Sequence, residues 1–288
     1  MTTLTVSATD HINSGNVGLR FDAGRRVSFG GVPRSEWIKL WSLRSIKITI
    51  AITLLMGLGM SALMAFNLNS EYAGAPAEAL SGFLLFSSTF TGSFVALVFG
   101  VLGVFTITSE YASGMILSSL AAVPRRGLIF AAKALILALI SAATALIVVG
   151  GGLGIATAAL PEAASRLTDP TVVSGALGTV AFLVLIALMA FGIAALLRST
   201  AGGIALVAGI CFVFPLALNV MQFTGWEWVT TVSAYLPTAL GSTLGQGTAP
   251  LPPGMEGPTY WVALAGMAAW AAVALIPAAI SFQRRDAK

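Results

Sequence analysis

VVSGALGTVAFLVLIALMAFGIAALL, residues 172–197, decides the fold. It runs for 26 residues without a charge, and as an α-helix it would be about 39 Å long, more than a hydrocarbon core of ~30 Å requires. Working outward, five further stretches read the same way: 46–66, 80–108, 128–159, 201–220 and 261–282. Across the chain 57% of residues are hydrophobic, only 9% are charged and the mean hydropathy is +0.92. Soluble domains are roughly half apolar and a quarter charged, so a water-soluble fold is excluded. The expected fold class is an all-α polytopic membrane protein with six transmembrane helices.

Six crossings put both termini on one side, and Lys and Arg choose it. Arg20, Arg25, Arg26, Arg34, Lys39, Arg44 and Lys47 precede or open the first span. Arg125, Arg126 and Lys133 lie around the second connection, Arg198 follows the fourth span, and Arg284, Arg285 and Lys288 follow the sixth. The other three connections hold only Arg166. Cytoplasmic loops carry the excess of basic residues, so both termini are expected in the cytoplasm, with the chain in a bacterial inner membrane. The net charge of +4 is explained by this asymmetry, with no nucleic-acid partner required.

The chain divides into four expected regions: a disordered cytoplasmic tail at 1–33, an interfacial elbow helix at 34–45, the transmembrane domain at 46–282 and a short cytoplasmic tail at 283–288. The first is polar and rich in Ser, Thr, Gly and Asn. In the elbow, Trp37, Leu40 and Trp41 fall at i, i+3, i+4, flanked by the charges of Arg34, Lys39 and Arg44, a pattern for a helix in the headgroup layer. The connection after the fourth span, Arg198-Ser-Thr-Ala-Gly-Gly, is short enough to demand a tight hairpin. The connection 221–259 begins with Trp226-Glu-Trp-Val-Thr-Thr-Val-Ser-Ala-Tyr-Leu, which favours a short helix on, or dipping into, the outer interface.

Chemistry is excluded more easily than assigned. One cysteine, Cys211, and one histidine, His11, leave no disulfide, zinc triad or haem-ligand pair. No Gly-x-x-x-x-Gly-Lys-Ser/Thr is present to cradle ATP phosphates, so no cofactor is expected on this chain. Gly150-Gly-Gly-Leu-Gly154 lies inside a span, where close helix packing is the expected role. The second span is longer than the membrane needs, and beyond it Gly114 and Pro124 bracket a short helix, 115–122, with Met115, Leu117 and Leu120 as apolar contacts. Ordinary loop packing and docking against another protein both fit that segment.

The sequence resembles the permease subunits of type-2 ATP-binding-cassette exporters, especially the actinobacterial ones. The matching pieces are Arg34-Ser-Glu-Trp-Ile-Lys-Leu-Trp-Ser-Leu-Arg-Ser, Thr108-Ser-Glu-Tyr-x-x-Gly-Met with Leu120-Ala-Ala-Val-Pro-Arg-Arg and Ala132-Lys-Ala, Tyr235-Leu-Pro, and Arg284-Arg-Asp-Ala. The family pattern usually has Thr where this chain has Met115. The resemblance implies a homodimeric pore and a separate ATPase subunit that carries the ATP and Mg, with the loop 110–126 inserted into a cleft of that ATPase. Glu110, Tyr111, Gly114, Met115, Leu117, Leu120, Pro124, Arg125 and Arg126 are then the coupling residues, and the chain is not itself an enzyme. Glu110 lies near the unfavourable end of its helix dipole, which calls for a cation such as Arg125, Arg126 or one on the ATPase.

The resemblance also implies a substrate path along spans two and five. Phe83, Phe86, Phe90 and Phe94 form one helical stripe, readable as a packing face or as an aromatic wall. Pro215 and Asn219 in span five offer a kink and an intramembrane amide, which rarely faces lipid. The expected function is export of an amphipathic or hydrophobic compound such as a drug, peptide, antibiotic or lipid. The alternatives are a secondary transporter or channel, against which stands the lack of mid-depth charge, and a structural membrane protein.

Overall fold

Asp169 opens the central helix: its side chain accepts from the Thr171 N–H at the N-cap, and Pro170 takes the first helical position, where no N–H is needed. The helix runs Pro170–Leu197 and stops at Arg198, whose φ of 52° is left-handed. Most of the other helices pack against it, while Arg44–Tyr72 packs instead on Arg126–Ala159 and the second span. The structure, a computed structural model, describes residues 31–115, 126–250 and 257–284.

In chain order the helices are α1 (Gly31–Ser42), α2 (Arg44–Tyr72), α3 (Ala77–Thr89), α4 (Thr91–Ser113), α5 (Arg126–Ala159), α6 (Pro170–Leu197), α7 (Thr200–Ala208), α8 (Phe214–Met221), α9 (Glu227–Ala234), α10 (Pro237–Gly245) and α11 (Tyr260–Arg284). A 3-10 turn, Pro161–Arg166, joins α5 to α6, and a π turn, Gly209–Val213, joins α7 to α8. Among the described residues there is no strand, and six helical units are long and apolar enough to cross a membrane: Arg44–Tyr72, Ala77–Tyr111, Arg126–Ala159, Pro170–Leu197, Thr200–Thr224 and Tyr260–Arg284. The chain is a multi-pass membrane protein. All six expected spans are present, each within a few residues of its predicted limits.

Helix α6 packs against α4, α11, α5 and α10. Without a hydrophobic drive between helices in lipid, such packing relies on close backbone approach. Gly103 of α4 supplies it: a Cβ there would fall 2.1 Å from the Ala187 carbonyl oxygen of α6. Six buried threonine hydroxyls are satisfied along their own helices: Thr49, Thr53, Thr106, Thr108, Thr144 and Thr179 donate to the carbonyl four residues earlier.

Four expectations need correction. The second span is not one unbroken helix but α3 and α4, interrupted at Phe90. Gly150 and Gly154 meet nothing in this chain; Gly151 and Gly152, one step around α5, make the contacts, against Leu58 and against Ser61 and Ser88. Lys39 does not sit among the outer charges of α1 but turns toward buried carboxylates. The connection after α8 holds the expected short helix, as α9, and a second one that was not expected: α10 folds back between α6 and α11 with Leu240, Gly241, Leu244 and Gly245 buried. The expected hairpin between spans four and five is present, with the Ser199 side chain capping α7 by accepting from the Gly202 N–H. The tail 1–30 and most of the segment 115–122 lie outside the described residues.

Candidate functional site

Between α3, α6 and the C-terminal turn of α10 the helices leave a cavity of about 770 Å³. Its wall on the α3 side is Phe86 and Phe90, stacked with ring centroids 4.8 Å apart. Phe182 and Gly241 close the back, where the ring of α6 fills the space a side chain on α10 would need. Thr89 ties the two sides together: its Oγ1 donates to Leu85 O at 2.8 Å and lies 3.2 Å from Gly245 O.

The mouth is polar. Arg166 pairs with Asp169 and donates from Nε to Ser81 Oγ at 3.1 Å. Ser81 Oγ in turn lies 3.2 Å from Asp169 Oδ2. The Asp169 carboxyl is held below the usual carboxylate range, first by the Thr171 backbone N–H and further by the Arg166 charge. Glu78, in the first turn of α3, is exposed beside them.

At the opposite end of α4 lies a buried ion cluster. Lys133 Nζ, in the second turn of α5 and 1% exposed, bonds Glu36 Oε2 of α1 and Glu110 Oε1 of α4, each at 2.5 Å. Lys39 Nζ completes the set, 2.9 Å from Glu36 Oε1 and 3.6 Å from Glu110 Oε1. Two carboxylates and two ammonium groups make the cluster neutral, which is the condition for keeping charge in a low-dielectric interior. Burial pulls the Lys39 ammonium down, but the bond and charge of Glu36, with Glu110 behind, outweigh it and hold its pKa above the ordinary lysine value. The other oxygen of Glu110, Oε2, is buried without a hydrogen bond among the described residues.

No protein-family model matches the sequence, and no curated protein matches it either.

The expected site residues separate into groups. Phe86 and Phe90 line the cavity. Phe83 is fully buried against Tyr72, and Phe94, although in ring contact with Phe90, is not among the lining residues. Pro215 and Asn219 do not line it either; Asn219 is on the exposed side of α8 with Leu216 and Val220. The cation set against Glu110 is Lys133, with Lys39 behind it. Arg126 opens α5, while Leu117, Leu120, Pro124 and Arg125 lie outside the described residues. Tyr111 lies under the Arg198 guanidinium, 5.5 Å from its ring centroid, Gly114 ends α4 at φ 70°, and Met115 is exposed. On α1, Trp37 and Trp41 are exposed and stack at 5.9 Å, Arg34 is exposed and Leu40 is buried; Arg44, also exposed, opens α2 rather than ending the elbow.

Sequence reasoning gave Glu36 no role beyond its place in a matching motif, and used Lys133 only as a charge for orientation and as part of the matching Ala132-Lys-Ala. A signal was available: the expected topology places Glu36 in the elbow, Glu110 at the end of the second span and Lys133 near the start of the third on the same side of the membrane.

Proposed function

We propose that this chain is the membrane-spanning subunit of an ATP-driven exporter whose ATPase is a separate polypeptide, and that it carries an amphipathic or hydrophobic compound out of the cytoplasm. One observation carries the reading: the α3–α4 unit reaches from the cavity mouth at Glu78 to the ion cluster at Glu110. The cluster binds that end of α4 to α1 and α5, so a push on the segment leaving α4 is not absorbed locally. It is passed along the helix to the cavity walls.

In this reading α1 is the elbow, held by its inward Glu36 and Leu40 while Trp37 and Trp41 lie in the headgroup layer. The segment after Gly114 is the coupling helix. A second copy of the chain covers the apolar face of α7 and α8, where Leu206, Val213, Leu216 and Val220 are exposed. Both termini are cytoplasmic.

The test is purification of the full chain from native membranes with whatever ATP-hydrolysing polypeptide accompanies it. The expected result is a complex whose hydrolysis rises on adding cargo, with Glu110→Lys releasing the ATPase while the chain remains in the membrane. A chain that brings down no ATPase, or a Glu110→Lys variant with normal association and coupling, refutes the reading.

A further inference from the structure

We infer that the cavity between α3, α6 and α10 is selective for lipophilic organic cations, molecules with a broad apolar or aromatic body and one delocalised positive charge. The inference rests on the exporter reading only in treating the bound molecule as cargo. Three independent features converge on it.

The first is charge balance. The ionisable residues at the mouth are Glu78, Asp169 and Arg166, which leave one net negative charge. Arg166 is engaged by Asp169 and Ser81, so its guanidinium is not offered to a guest as a free cation. Asp169 is likewise used, by Arg166, Ser81 and the Thr171 N–H. Glu78 is left, exposed at the rim and without an ion pair among the described residues, as the carboxylate that faces an entering molecule.

The second is the direction of α10. Its last turn, with Ser242, Gly245 and Gln246, lines the cavity, and because its final carbonyls already accept from the Gln246 and Gly247 N–H groups and the Thr89 hydroxyl, what it offers there is the field of the helix end rather than a free acceptor. That end carries a partial negative charge and favours a cation. The opposing N-termini of α3 and α6 are already answered by Glu78 in the first turn of one and by Asp169 at the cap of the other.

The third is the aromatic wall. Phe86 and Phe90 are 43% and 36% exposed, and ring faces attract cations by their quadrupole. Apart from the Gln246 amide, the lining is otherwise apolar or hydroxyl-bearing, with Leu85, Phe182, Thr89, Thr179 and Ser93. A guest with a compact, strongly hydrated ammonium would lose its water to few acceptors here. A delocalised cation has less hydration to lose.

A matched pair of ions tests the selectivity. Tetraphenylphosphonium and tetraphenylborate share shape and apolar surface and differ in the sign of the charge. Saturable binding of each is measured by equilibrium dialysis on the full chain in lipid nanodiscs, with empty nanodiscs subtracted. The expected result is one saturable tetraphenylphosphonium site per chain and at least tenfold weaker binding of tetraphenylborate. Glu78→Gln, an exposed substitution, should weaken the cation about five- to tenfold and narrow the difference between the ions. Phe90→Ala should weaken the cation by a similar factor. Glu71→Gln, which removes a carboxylate at the end of α2 away from the cavity, should leave both ions unchanged. Equal affinity for the two ions, absence of a saturable cation site, or Glu78→Gln binding like the parent overturns the inference. Because the ATPase takes no part in the measurement, cation binding without ATP-driven transport would count against the exporter reading and leave the cavity assignment standing.

Discussion

Removing the Lys133 ammonium would leave the carboxylates of Glu36 and Glu110 facing one another in a buried site, with only Lys39 on the rim. Breaking a buried ion pair by deleting one partner costs about 3–5 kcal/mol, because the charge left behind has lost its water and gained nothing. Lys133→Met should therefore lower the thermal midpoint in detergent strongly. The triple variant Glu36→Gln, Lys133→Met, Glu110→Gln removes the three buried charges together, leaves only the ammonium of Lys39 at the partly exposed rim where water can reach it, and should recover most of the loss. Thermal unfolding followed by tryptophan fluorescence decides it; a triple variant no better than Lys133→Met would mean that the geometry of the cluster, rather than its neutrality, holds the three helices. The raised Lys39 pKa fixes the sign of its pH effect. Its contribution is complete below the unfolded value of 10.5 and fades as pH rises through the higher folded value, so it is constant across the neutral range. At this scale the sequence was only partly legible. The need for a cation at Glu110 followed from the helix dipole, but which lysine supplies it depends on the rotation of α1, α4 and α5 about their axes, and no local pattern encodes that.

Among the helices, α10 is the element that defines the cavity and the one that periodicity could not find. Its sequence, PTALGSTLG, is too short and too polar for a span and has no charge to mark it as surface. It enters the bundle because its glycines take up no room: a Cβ on Gly241 would lie 2.5 Å from the Phe182 ring, and Gly245 sits beside Thr89 and Thr179. Gly241→Leu should drive α10 away from α6 at a cost of about 1–3 kcal/mol, the usual penalty of overpacking. The cavity would deform with it, so loss of tetraphenylphosphonium binding should exceed the loss of thermal stability; unchanged binding would separate α10 from the cavity wall. The long spans were legible because their apolar length alone identifies them. Their interruptions were not equally so. Pro215 announces a disturbance in span five, which takes the form of the π turn at Gly209–Val213 just before it. The break at Phe90 has no proline behind it, and Ser88, Thr89 and Thr91 there bond back to carbonyls of α3.

For the whole molecule, the distribution of Lys and Arg predicts one orientation, with α1 and the Ser113 end of α4 inside and the α10 side outside. In a Cys211→Ala background, a membrane-impermeant maleimide added to intact cells should label Ala249→Cys and spare Ser113→Cys; the opposite pattern would invert the topology. Ala249 is preferable to its neighbour Gly247, whose φ of +74° and contact with the Thr171 carbonyl resist any side chain. Under this orientation the cavity opens outward and the ion cluster lies on the cytoplasmic side, so the two features face the two solutions that an exporter must separate.

Glu36 and Lys133 are 97 residues apart, and that interval sets an order of events during synthesis. The ribosome delivers α1 and the first two spans while their shared counter-charge is still unmade. Until the third span enters the translocon, Glu36 and Glu110 have only Lys39 between them, and the growing chain has reason to keep α1 loosely at the membrane surface. The arrival of α5 brings the one further positive charge that makes the cluster neutral, and with it the contact that joins α1 and α4 to the third span.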